Sequence, residues 1–162
     1  MATTKSTSTK GTSTKSTATK STATKKKSYD GFSDAERDAM KEHAKELKSK
    51  EDPAQAQAAK IAGMVDADRV IAERLNELIP QIAPDLTPKL WYGMPGWAKD
   101  GKIVCFFQDA AKFKARYATF GFNPPAQLDE GDFWPTSYAL LELTPAVEQQ
   151  IVALVKKAAG RS

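Results

Sequence analysis

The run from residue 90 to residue 107 constrains the chain more than any other. It reads Leu-Trp-Tyr-Gly-Met-Pro-Gly-Trp-Ala-Lys-Asp-Gly-Lys-Ile-Val-Cys-Phe-Phe and holds two of the three tryptophans and the single cysteine. Residues 90–92 are bulky and aromatic, which predicts a short strand. Pro95 cannot donate to a sheet ladder, and Gly93 and Gly96 tolerate backbone angles that other residues avoid, so the strand must bend there. Asp100-Gly101 is the strongest hairpin signal in the chain. Residues 103–107 are continuously apolar, which predicts a strand buried on both faces. Two readings follow for the bend. Either its aromatics fill a core, or Trp91, Tyr92, Met94 and Trp97 line a pocket.

Around this run the pattern changes from helical to extended. Ser33 followed by Glu36 forms a capping-box signature, predicting a helix from there to about Lys50. Asp52-Pro53 predicts a second helix ending near Gly63. Asp66 is the expected cap of a third, whose stripe is Ile71, Leu75, Leu78, Ile79 and Ile82. Pro80 should kink or shorten that helix. Downstream, residues 108–111 read as a turn. Phe113, Ala115 and Tyr117 then alternate with Lys112, Lys114 and Arg116, which predicts a strand. Asn123-Pro124-Pro125 ends it, residues 137–143 read as the last strand, and Thr144-Pro145 opens a closing helix with Val147, Ile151, Leu154, Val155 and Ala158 inward. The expected fold is α+β: an antiparallel sheet of about five strands, with N-terminal helices and a C-terminal helix mainly on one face.

Residues 64–159, with Trp91-Tyr92-Gly93-Met94-Pro95 at their centre, resemble the YdhG-like domain family. That family is largely uncharacterised and includes a frataxin-like bacterial iron chaperone. Residues 33–50 resemble an N-terminal extension of some members. The resemblance implies a domain over 64–160 preceded by a helical extension over 28–63. It also implies a non-enzymatic role, with labile iron binding and delivery to an acceptor protein as its most concrete form.

Charge divides the chain. Residues 1–27 hold seven lysines and no acid, leaving 17 basic and 20 acidic residues for the rest. Lysine recurs every five residues from Lys5 to Lys25 among Ser, Thr and Ala, a period that builds no face, so a disordered tail is expected. Such a tail offers weak, non-specific polyanion contact, and the mildly acidic remainder argues against a basic nucleic-acid-binding globule. A lone cysteine forms no internal disulfide, which suits the cytoplasm. The apolar runs are far shorter than the ~20 residues of a membrane span.

Chemistry-bearing residues are sparse. One His and one Cys leave the usual nucleophile–base pairs missing, and no phosphate loop or zinc spacing occurs. A carboxylate-based enzyme is the remaining catalytic option. Asp34, Asp38, Glu42 and Glu46 lie at i,i+4 spacing and form a carboxylate stripe. Hard cations prefer such oxygens, though a stripe of this kind also reads as a solvated face. Asp129, Glu130 and Asp132 crowd one loop and form a second metal candidate. His43 and Glu46 are a further i,i+3 pair. The competing reading is a small-molecule or peptide-binding module, using the aromatic bend with Lys114 or Arg116 fixing an anionic group.

Overall fold

The computed structural model describes residues 31–161. The disordered tail expected over 1–27 lies outside them. Helix α1 (Asp34–Glu46) starts on Ser33, whose hydroxyl accepts the Glu36 N–H while the Glu36 carboxylate accepts the Ser33 N–H at 2.7 Å. It ends before Lys50, because nothing beyond Glu46 anchors another turn: Leu47 is 76% exposed. Helix α2 (Pro53–Ala62) begins on Asp52, which accepts the Ala54 N–H, and Gly63 closes it.

Helix α3 (Asp66–Ile82) is capped by Val65 rather than Asp66, with no side-chain bond at the cap. Asp66 and Asp68 instead place negative charge in the first turn, where the helix dipole favours it. Pro80 does not end the helix. Its missing N–H forfeits one bond, yet Ile79 is fully buried and its carbonyl accepts the Ala83 N–H, so packing holds the last turn.

The sheet contains β1 (Thr87–Pro88), β2 (Gly96–Lys99), β3 (Lys102–Gln108), β4 (Ala118–Phe122) and β5 (Ser137–Leu140). Each strand pairs antiparallel with the next, in the order β1-β2-β3-β4-β5. Pro88 is tolerated because β1 is an edge. Register builds the core face row by row. Trp97 pairs with Cys105 and Cys105 with Phe122, while Phe107 pairs with Phe120 and Phe120 with Tyr138. These side chains join Ile71, Leu75 and Ile79 of α3, and Ile151, Val155 and Ala158 of α5 (Pro145–Ala158), in one apolar cluster. Ile61 of α2 belongs to the same cluster. On the other face the Phe106 ring lies over Gly121, its ladder partner, where any Cβ would collide with it.

Three expected strands differ. Residues 90–92 form no strand: Trp91 and Met94 pair with each other across a two-residue turn. The alternation from Lys112 is not extended either. Residues Ala110–Phe113 coil into a short helix, α4, because Asp68 Oδ2 accepts the Ala111 N–H, and Lys114 then turns left-handed (φ 51°). Strand β4 starts only at Ala118. The last strand stops at Leu140, since Leu141 faces solvent. Among the described residues no helix is long and apolar enough to cross a membrane.

Candidate ligand-binding site

The site grows from the turn at Tyr92-Gly93. Trp91 and Met94 exchange both backbone bonds, at 2.9 and 3.0 Å. Tyr92 (φ 54°) and Gly93 (φ 72°) both adopt the left-handed conformation. For tyrosine this costs about 1–2 kcal/mol, so the surroundings must enforce it. The conformation turns two consecutive N–H groups the same way, and the Glu46 carboxylate receives both: Oε1 from Gly93 at 2.6 Å and Oε2 from Tyr92 at 3.1 Å. Successive N–H groups aimed together form an anion cradle. One turn earlier on α1, the His43 ring stacks on the Tyr92 ring with centroids 4.0 Å apart, and its Nδ1 lies 3.2 Å from Glu46 Oε2.

Glu42 is the second anchor of α1. It bridges Lys60 of α2, at 2.7 Å, and Lys112 of α4. Burial opposes its ionisation, but hydrogen bonds from Lys112 and Lys60 outweigh this and hold the carboxyl below the usual range. Helix α1 is thus docked mostly through polar groups. Ala39 is its sole buried residue, and Met40 is 44% exposed.

Beside these contacts lies a cavity of about 900 Å³. Leu90, Trp91, Ala56, Ile103 and Pro124 give it apolar walls, and Glu42, Glu46, Lys60 and Lys89 contribute polar groups. The half-buried Trp91 wall is braced from behind by Phe106, with ring centroids 4.9 Å apart. Helix α2 is held in place by Gln57, which is fully buried. Its amide oxygen accepts the Gly96 N–H and its amide nitrogen donates to Asn76.

The predicted aromatic set divides. Trp91 lines the cavity and Tyr92 forms the turn above it. Met94 and Trp97 point inward, 6% and 0% exposed, and the Trp97 indole N–H has no hydrogen-bond partner among the described residues. Lys114 and Arg116 do not line the cavity: Lys114 is exposed after α4, and Arg116 lies over the Tyr117 ring. Lys112, two residues earlier, reaches the turn beside Gly93, and Lys60, which sequence reasoning missed, meets the same Glu42 carboxylate.

The acidic candidates are dispersed. Asp34 pairs with Arg37, Asp38 with Lys41, and Glu130 with Lys157, while Asp129 and Asp132 stand exposed in their loop. Among the described residues no three His, Cys, Asp or Glu side chains gather as a metal site. Cys105 is fully buried, which pushes its thiol pKa far up and removes it as a nucleophile.

Comparison with known proteins returns no match: no family model fits the chain, and no curated protein or solved structure matches it significantly.

Proposed function

We propose that this chain is a non-enzymatic, cytoplasmic small-molecule-binding protein, and that its ligand occupies the cavity beside Trp91. The observation that carries the reading is the cavity itself. Its volume of about 900 Å³ suits an organic ligand, and apolar walls with a few convergent polar groups are the usual make-up of such sites. Kinship with the YdhG-like family stays part of the proposal, on the strength of Trp91-Tyr92-Gly93-Met94-Pro95. Iron carriage is the weaker form of it. A ferrous ion at Glu42 must displace two ammonium groups, and one at Glu46 must displace two backbone N–H groups.

A neutral naphthylamine dye tests the reading. Its fluorescence should rise on mixing with the protein, and Ala56→Phe, which fills the cavity from the α2 wall, should abolish the rise. Equal dye binding by A56F and the native chain would overturn it. Anaerobic calorimetry with ferrous iron tests the other form: carboxylate-dependent heat would favour iron.

A further inference from the structure

The contacts that hold α1 look like those of a bound ligand. Glu46 and Glu42, one helical turn apart, place two carboxylates on a surface built entirely by later parts of the chain. One meets the paired N–H groups of Tyr92 and Gly93, and the other meets Lys60 and Lys112. Beside the first contact the His43 ring stacks on Tyr92, and Ala39 is the one buried residue of the helix. Gly93 fits this arrangement closely: a Cβ there would collide with both Glu42 Oε2 and Lys112 Nζ. Glu42, Glu46, Lys60 and Gly93 line the cavity, and Lys112 adjoins it through Glu42.

We propose that the Tyr92–Gly93 turn, Lys60 and Lys112 form a binding site for the acidic end of a small molecule, and that α1 occupies it as a built-in competitor. The inference rests on the cavity reading above and names the ligand class: an apolar body for the Trp91 wall and two anionic groups, carboxylate or phosphate, for the cradle and the lysines. A cradle of N–H groups and two ammonium groups recognises either anion. Helix α1 is suited to yield. It has one buried apolar residue and is joined to α2 by residues 47–52, which form no helix. A site filled part of the time by its own chain shows a ligand affinity reduced by the fraction that stands open.

The test uses the full chain, with inorganic pyrophosphate and glutarate as separate probes for the phosphate and carboxylate arms. Calorimetry should show that Glu42→Gln with Glu46→Gln tightens binding of at least one probe by about tenfold or more, because the competitor is weakened. Asp34→Asn with Asp38→Asn removes the same charge from the same helix away from the turn, and should keep the native affinity. Adding Lys60→Gln and Lys112→Gln to the first pair should remove binding. On the native chain, saturating probe should speed amide exchange in α1 and leave α5 unchanged. Equal affinities in the two double variants overturn the proposal, as does α1 exchange that neither probe alters. If the neutral dye still binds in that case, the cavity reading survives and the anion site alone falls. If anions displace α1 but no dye binds, the anion site stands without the cavity reading.

Discussion

Two turns in this chain share a backbone and differ in everything around it. Asp100-Gly101 joins β2 to β3 with φ values of 51° and 77°, and Tyr92-Gly93 joins Trp91 to Met94 with 54° and 72°. Around Gly101 there is open space, whereas Gly93 is walled in by Glu42 and Lys112. The first turn is made by its own residues, since Asp-Gly prefers this conformation wherever two strands flank it. The second is imposed: tyrosine disfavours the left-handed region, and the Glu46 carboxylate and the His43 ring hold it there. A strained turn with a tertiary partner is a recognition element, while the same turn without one is a connector.

The largest break in this comparison should come from alanine at the two glycines. Gly101→Ala meets only backbone strain, about 1–2 kcal/mol. Gly93→Ala adds a collision with Glu42 and Lys112, so a cost of about 2–4 kcal/mol is expected, with amide protection lost along α1. Urea denaturation and hydrogen exchange measure both. Equal costs would show that the Tyr92-Gly93 turn is as unencumbered as its counterpart.

The two turns also show what sequence reading reaches. Asp100-Gly101 was legible because its information is local, as were the caps at Ser33, Asp52 and Thr144 and the apolar stripe of the last helix. The strand misassigned from Lys112 fails for the opposite reason. Its alternation is real, but Asp68, more than forty residues upstream, draws Ala111 into α4. The site was half legible. Trp91, Tyr92, Glu42 and Glu46 all stand out, but the stripe alone offers Glu42 and Glu46 only as metal ligands or a solvated face, because their partners lie 18 to 70 positions away. No local pattern marks Lys60 or Lys112 as those partners.

Removing the carboxylate tests the imposed turn from the other side. Glu46→Ala strands two N–H groups, one on Tyr92 and one on Gly93, and should cost about 1–3 kcal/mol. No comparable change exists at Asp100-Gly101.

Acid sharpens the same point. The docked Glu42 carboxyl titrates below its ordinary range, so its contribution is present above that range and disappears as pH falls through the docked value. The stability gap between the native chain and Glu42→Gln should therefore be open at pH 7 and closed in strong acid. A gap that persists there would mean that Glu42 acts through shape rather than charge.

The smallest effect is expected far from the turn, at Asp85. Hydrogen bonds from Lys99 and Arg161 hold its carboxyl down at about 2. Its stabilisation is present above the ordinary carboxylate range and is lost as pH falls toward that value. Because all three groups stand at the surface with part of each side chain in water, Asp85→Asn should cost at most about 1 kcal/mol at pH 7, read as a small drop in Tm.

The 70 positions between Glu42 and Lys112 have a consequence during synthesis. The helix emerges from the ribosome first, and the last piece of its docking surface follows on the order of 4–14 s later at ordinary elongation rates. Through that interval α1 lacks Lys112, and Met40 and the adjoining Leu47 stay in solvent. Its docking surface is complete only once Lys112 has been made, with β4, β5 and α5 still to follow, and any factor that meets the nascent chain before then meets this helix first.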